Sequence, residues 1–186
     1  MRIVDLSRPF SLEDYATEHH SGTHLDAPAY ALGGGKLVGD YELERFICDA
    51  ALLDITHKKT GQPIDDEDLE AAEEAAGLAL REGEAVILHT GTSGVSPVGE
   101  SPYLSRNGAE YLEFKGVTLV GIDSGNLDNS DSSELEAHRT LLRKEILVLE
   151  GLANLRAIDM ERFRLSCLPL KLSAATSPVR AVAIVE

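Results

Sequence analysis

Histidines cluster near the N-terminus at a spacing that suits metal binding. His20 and His24 stand four residues apart, and Asp26 follows two residues later. Gly22 and Pro28 argue against one continuous helix here, so the pattern predicts a strand that runs into a tight turn. Such a turn can point His20, His24 and Asp26 into one pocket, and two imidazoles with a carboxylate suit Zn²⁺ or Mn²⁺. Histidines at this spacing can also be ordinary surface or core groups, but the neighbouring Gly-Thr and Asp-x-Pro favour a metal site.

The same stretch carries a family resemblance. From His20 to Pro28 it is His-Ser-Gly-Thr-His-Leu-Asp-Ala-Pro, which resembles the signature of the cyclase-like metal-dependent hydrolases, a family that includes bacterial kynurenine formamidase and isatin hydrolase. The N-terminal Ile-Val-Asp-Leu-Ser-Arg-Pro-Phe and the Asp-Ser-Gly loop at 123–125 are also similar to family features. The resemblance runs from about residue 2 to the C-terminus.

A second pair of ligands is implied by this resemblance. Family members have a His and a Glu twelve residues apart, and His138 and Glu150 have that spacing. The residues alone decide less, since His138 can face solvent or cap its predicted helix, and Glu150 can reach water from the end of an apolar strand. The resemblance implies that one or two zinc or manganese ions are bound by His20, His24, Asp26, His138 and Glu150.

Tyr30 departs from the family pattern. Family formamidases carry a further histidine at this position, which looks like the proton-transfer residue. Tyrosine, with an ordinary pKa of about 10, is a poor base at neutral pH but can donate a hydrogen bond to an oxyanion. Tyr30 can therefore orient substrate while His19, His89 or Glu18 moves protons, or a metal-activated water needs little help. Alternatively, the chain binds metal without turnover, or Tyr30 packs at a pocket wall.

Alternating strands and helices are predicted to position these residues. Strands are predicted over 3–6, 48–56, 85–90, 117–123, 146–149, 163–172 and 179–185, and helices over 65–81, 107–114 and 135–143. Alternation from about residue 48 to 150 favours an α/β fold, and we expect one domain spanning 1–186. The resemblance implies a mixed β core of the swivelling β/β/α kind with helices packed outside.

Composition narrows the partners and the compartment. The chain has 186 residues and a formal net charge of -15, from 17 Lys and Arg against 32 Asp and Glu. That balance argues against nucleic acid and against an anionic membrane surface. The N-terminus lacks the apolar region of a secretory signal, and Cys48 and Cys167 sit in apolar stretches. We therefore expect buried thiols, a reducing compartment and a cytoplasmic protein.

The function implied by the resemblance is hydrolysis of a small amide, a formamide or a cyclic C–N bond by metal-activated water. The best single substrate is N-formylkynurenine, which would make the chain an arylformamidase-like enzyme of tryptophan catabolism. A lactone or lactam hydrolase, and a metal- or small-molecule-binding protein without turnover, are the alternatives. The resemblance also implies a homodimer or a homotetramer.

Overall fold

Short strands and helices alternate along the computed structural model, which describes residues 1–9, 11, 13, 20–93 and 101–185. The strands are β1 (Arg2–Asp5), β2 (His24–Asp26), β3 (Ile47–Asp54), β4 (Pro63–Ile64), β5 (Ala85–His89), β6 (Tyr103–Leu104), β7 (Leu119–Ile122), β8 (Leu147–Glu150), β9 (Arg162–Ser166), β10 (Thr176–Pro178) and β11 (Val182–Val185). The α-helices are α1 (Ala29–Leu32), α2 (Asp66–Ala76), α3 (Arg106–Phe114) and α4 (Glu136–Leu142). Short 3₁₀ helices occur at Val38–Asp40, Leu43–Arg45 and Leu155–Ala157.

One large mixed sheet organises the chain. Its strand order is β1-β11-β9-β3-β5-β7-β8-β2-β10, and β4 pairs separately with β6. The central strands β3, β5, β7 and β8 are parallel, whereas the flanking pairs are antiparallel. Parallel strands are normally buried on both faces, which explains the apolar runs of β5 and β7. The predicted α/β fold with a mixed β core is confirmed.

Two apolar cores lie on opposite faces of this sheet. Successive side chains of a strand point to opposite faces, so Val86 and Leu88 of β5 join one core and Ala85 and Ile87 join the other. The first core is covered by helices α2, α3 and α4. The second is closed by residues of the flanking antiparallel strands, such as Phe163. The expectation of helices packed outside the sheet is therefore confirmed.

Helix α2 is shorter than the predicted helix over 65–81. It ends at Ala76, because Gly77 adopts a left-handed conformation with φ of 61°. The Leu78 N–H donates to the Glu73 carbonyl at 3.0 Å and closes the last turn. Leu and Ala residues follow Gly77, so a composition typical of helices continues beyond the point where the helix ends.

The C-terminal predictions also need correction. The predicted strand over 163–172 stops at Ser166, and a separate strand, β10, follows after an irregular stretch. Neither β10 nor the short helix α1 was predicted. Each is only three or four residues long, too short for a periodic pattern to show.

Both cysteines are free thiols, as predicted. Cys167 is buried, but Cys48 is only partly buried because it lies near the start of β3, before that strand enters the core. Burial raises the pKa of the Cys48 thiol to about 11. In the described part of the chain, no helix has the length and apolar character needed to cross a membrane.

Candidate metal centre

Strands β2 and β8 bring three of the predicted ligands together. They run antiparallel, with His24 directly opposite Glu150. His24 and Asp26 are alternate residues of β2, so both side chains point to the same face of the sheet. All three side chains are buried. The local motif predicted from the sequence is therefore completed by a strand more than a hundred residues away.

The turn before β2 depends on a close approach between two glycines. Gly22 has φ of 72°, and its carbonyl oxygen accepts a hydrogen bond from His24 Nδ1 at 3.1 Å. Gly151, just after β8, has φ of 67°, and a Cβ there would lie 2.3 Å from the Gly22 oxygen. Thr23 Oγ1 ties the two segments by donating to the Gly151 carbonyl at 2.7 Å. This contact aims His24 Nε2 at the centre.

Helix α4 contributes His138, the histidine of the second ligand pair that the resemblance implies. His138 is buried, and its Nε2 lies 3.3 Å from Glu150 Oε1 and 3.5 Å from Asp26 Oδ2. Its other ring nitrogen, Nδ1, lies 2.5 Å from Asp128 Oδ2. Asp128 was not predicted from the sequence, where it sits in a loop that reads as polar. The sequence signal that could have indicated Asp128 is its position as an acidic residue shortly before the helix that carries His138.

Ligand atoms from four of these residues converge. His24 Nε2 lies 3.0 Å from His20 Nδ1 and 3.1 Å from Glu150 Oε2, and His20 Nδ1 lies 3.5 Å from Asp26 Oδ2. Metal–ligand bonds of 2.0–2.2 Å would separate neighbouring ligands of a tetrahedral zinc site by roughly 3.3–3.6 Å. All the ligand atoms of this set lie within 4.8 Å of one another. The spacing fits a divalent cation.

Orphaned polar atoms point to the same conclusion. Both carboxylate oxygens of Asp26 and the Nε2 atom of His138 are buried and have no hydrogen-bond partner among the described residues. Buried polar atoms are nearly always partnered, because an unpartnered one costs about 1–3 kcal/mol. A cation bound between them would satisfy these atoms together.

Negative charge dominates the electrostatics of the centre. Burial opposes protonation of His24, but Asp26 and Glu150 outweigh it and raise the His24 pKa to about 9. Burial likewise opposes protonation of His138, but its hydrogen bond to Asp128 and the nearby carboxylates of Asp26 and Glu150 raise its pKa to about 10. In turn, the histidines hold the pKa of Asp26 well below its usual range against the effect of burial. The same carboxylates would attract a divalent cation.

Tyr30 stands beside two of the imidazoles. Its ring centroid lies 4.3 Å from that of His20 and 5.2 Å from that of His138. Burial, followed by the nearby charges of Asp26 and Glu150, raises the pKa of Tyr30 above its ordinary value. The raised pKa favours the protonated phenol, which can donate a hydrogen bond.

The other predicted proton-transfer residues lie elsewhere or outside the described residues. His89 ends β5 and lines a surface groove with Asp54 and Arg156. Within the described part of the chain, no contact joins His89 to the metal centre. His19 and Glu18 are outside the described residues.

Comparison with known proteins places the chain. The family model described as "Putative cyclase" matches residues 4–129, and the kynurenine formamidase of Sphingopyxis alaskensis is 33% identical over 175 residues, which cover 94% of this chain and 80% of that protein. The chain belongs to the cyclase family. The family resemblance predicted from the motif is thereby confirmed. The predicted class of enzyme, an amidohydrolase, agrees with the names of these relatives.

Solved structures of cyclase-family proteins share the fold. Isatin hydrolase A from Labrenzia aggregata superposes with a TM-score of 0.85 at 21% identity, covering 99% of this chain and 93% of that one. A structure described as a potential metal-dependent hydrolase with cyclase activity gives a TM-score of 0.80 at 23% identity, covering 98% and 96%. At identities of 21% and 23%, this similarity shows that the three proteins share one fold.

Proposed function

We propose that this cyclase-family chain is a metal-dependent hydrolase that cleaves the C–N bond of a small amide, formamide or cyclic amide. The observation that carries the proposal is the convergence of two histidines and two carboxylates, His20, His24, Asp26 and Glu150. Both oxygens of Asp26 are buried there and have no hydrogen-bond partner in the described part of the chain. A site built only for stability would pair those oxygens with protein donors. A donor set of imidazole and carboxylate is typical of zinc and manganese.

Five residues would hold one or two zinc or manganese ions per subunit: His20, His24, Asp26, His138 and Glu150. When bound, such an ion polarises a carbonyl oxygen and makes water acidic enough to attack at neutral pH. Carboxylates can bridge two cations, so Asp26 and Glu150 are compatible with either count. The protein's own contribution is to fix these side chains on β2, on the turn before it, on β8 and on α4 before any ligand arrives.

Tyr30 would supply the hydrogen bond to the reacting carbonyl oxygen. Its hydroxyl stays protonated and its ring is held against His20 and His138. Charge develops on the carbonyl oxygen as the tetrahedral intermediate forms, and a fixed donor stabilises that charge more than the neutral substrate. We therefore assign Tyr30 as the catalytic donor and not as a general base.

N-formylkynurenine is the substrate we propose first, because relatives above 30% identity are named kynurenine formamidase. Ring opening of a lactam or lactone is the second candidate, supported by the fold shared with isatin hydrolases. Family formamidases carry histidine where this chain has Tyr30, and for this reason we retain the second candidate. This difference also keeps open a metal-binding protein without turnover.

Metal analysis together with a substrate panel tests the proposal. Elemental analysis of the untreated protein is expected to give one or two zinc or manganese ions per chain. N-formylkynurenine, isatin and simple lactones would then be assayed with Zn²⁺ and with Mn²⁺, using Asp26→Asn as the inactive comparison. Metal bound with turnover of one of these substrates supports the proposal, and metal bound without any turnover supports the binding protein instead. No bound metal would refute both.

We also infer one cyclase-like domain over 1–186 that assembles as a homodimer or homotetramer in the cytoplasm. The pairing of β1 with β11 supports the single domain, because it joins strands near both ends of the chain in one sheet. Light scattering on the purified protein measures the assembly, and a monomer would contradict this inference.

A further inference from the structure

An aspartate behind the metal centre holds the ring of His138 from the side opposite Asp26 and Glu150. The Asp128 carboxylate accepts the Ala137 N–H at 2.6 Å, and its other oxygen accepts the His138 N–H at 3.2 Å. That second oxygen also contacts His138 Nδ1 at 2.5 Å. Asp128 and His138 are both buried, so water does not compete for these contacts.

The chemistry of this contact decides which ring nitrogen is free. An ionised carboxylate only accepts hydrogen bonds, so the proton between the two groups belongs to Nδ1. The neutral imidazole then carries its lone pair on Nε2, the atom that faces Asp26 and Glu150. We infer that Asp128 is a positioning residue that keeps the His138 proton on Nδ1 and so presents Nε2 to the metal. This inference rests on the proposed metal-dependent function.

The residue before Asp128 acts on a second ligand. The Leu127 N–H donates to Glu150 Oε1 at 2.7 Å, so consecutive residues orient ligands from α4 and from β8. Leu127 is itself anchored, because its carbonyl accepts the Leu104 N–H at 2.8 Å and its side chain is buried. This short segment therefore sets the mutual geometry of His138 and Glu150.

Replacing Asp128 with Asn tests the assignment. The neutral amide has one oxygen in place of two, so either the Ala137 N–H or the two N–H groups of His138 lose their acceptor. In either orientation the negative charge that holds the His138 proton on Nδ1 is gone, so Nε2 is presented less firmly to a metal. Removing such an outer partner of a metal-bound histidine typically weakens metal affinity about 10- to 100-fold. We expect a loss of that size for Asp128→Asn in zinc titrations against a competing chelator.

Glu73→Gln is the matched control. Glu73 is also a buried carboxylate with three donors, but its partners Leu80, Tyr111 and Lys115 are not part of the metal centre. We expect its zinc affinity to remain within twofold of wild type. An Asp128→Asn protein that binds zinc as tightly as wild type would overturn the inference.

A measurement on the wild type covers the case in which Asp128→Asn does not fold. Long-range ¹H–¹⁵N spectra of histidine-labelled, zinc-loaded protein, assigned with His138→Gln, report which ring nitrogen bears the proton. We expect a protonated Nδ1 and a metal-bound Nε2 on His138, and the reverse assignment would overturn the inference. Protein that binds zinc in this way but hydrolyses no substrate would refute the proposed function while supporting the role of Asp128.

Discussion

Tyr30 places a neutral hydroxyl against the imidazoles of His20 and His138. Burial and the nearby charges of Asp26 and Glu150 raise the pKa of this phenol, which favours a hydrogen-bond donor over the base that a histidine offers at this position. The hydroxyl can still stabilise negative charge that forms on a carbonyl oxygen. A substitution at Tyr30 can therefore test transition-state stabilisation separately from metal binding.

Tyr30→Phe should slow hydrolysis without removing metal. Loss of one hydrogen-bond donor to a developing oxyanion costs roughly 10²- to 10³-fold in kcat, and the phenyl ring keeps the packing against His20. Steady-state kinetics on the best substrate of the panel, together with elemental analysis, check this expectation. A Phe variant with wild-type kcat would leave Tyr30 only a packing role.

Among the secondary-structure elements, the Gly22 turn passes close to Gly151 at the end of β8. A side chain at Gly151 would meet the Gly22 carbonyl at 2.3 Å, and that carbonyl also fixes the His24 ring. A displacement at this crossing would therefore move His24, a candidate metal ligand. The pairing of β2 with β8 depends on the absence of a side chain at one position.

Gly151→Ala should both destabilise the protein and weaken metal binding. The left-handed backbone and the steric overlap should each cost about 1–3 kcal/mol, and displacement of Gly22 would tilt His24 Nε2 away from the centre. Gly61→Ala is the matched control, since Gly61 has φ of 71° with no heavy atom within 4 Å of an added Cβ. Urea unfolding and zinc titration of both variants test this, and equal effects at the two glycines would contradict it.

Helices α2 and α3 are joined by a carboxylate whose contribution depends on pH. Burial opposes ionisation of Glu73, but hydrogen bonds from Tyr111, Leu80 and Lys115 outweigh it and lower the Glu73 pKa. A group with a lowered folded-state pKa stabilises above its unfolded pKa of about 4.3, and the contribution disappears as pH falls through the folded value.

Glu73→Gln should therefore lower the free energy of unfolding by about 1–2 kcal/mol at pH 7. The difference from wild type should shrink below about pH 4, because the wild-type carboxyl also becomes neutral there. Urea unfolding of both proteins at several pH values measures it. A difference that stays constant from pH 7 to pH 3 would assign the effect to packing instead of charge.

Across the molecule, local patterns were predictable and long-range pairings were not. The candidate ligands His20, His24 and Asp26 lie within seven residues, so their spacing and residue types alone indicate a possible metal site. His138 and Glu150 were predicted only through the family resemblance, because the register of β2 against β8 is invisible in the order of residues. Asp128 was not predicted, because its role depends on its contact with Nδ1 of His138, which the order of residues does not show.

The role of the chain's large negative charge depends on where the acidic residues lie in the folded structure. Among the described residues, most acidic side chains are exposed, whereas Asp26, Asp128 and Glu150 are buried around two histidines. Buried carboxylates are costly unless they are paired or bound to a cation. The folded state thus has a strong reason to bind a divalent ion that the unfolded chain lacks, so metal and stability should be linked.

Metal should therefore raise the thermal stability of the whole protein. An ion that binds only the folded state adds about 2.7 kcal/mol at a hundred times its Kd, which for a chain of this size shifts Tm by roughly 5–10 °C. Asp26→Asn should lose most of this metal-induced shift, whereas substitution of the exposed His57 by alanine should keep it. Calorimetry of chelator-treated protein with and without Zn²⁺ measures the shift. If the Tm of the wild type does not change with Zn²⁺ or Mn²⁺, the buried carboxylates are paired with histidine protons alone. The centre would then be structural.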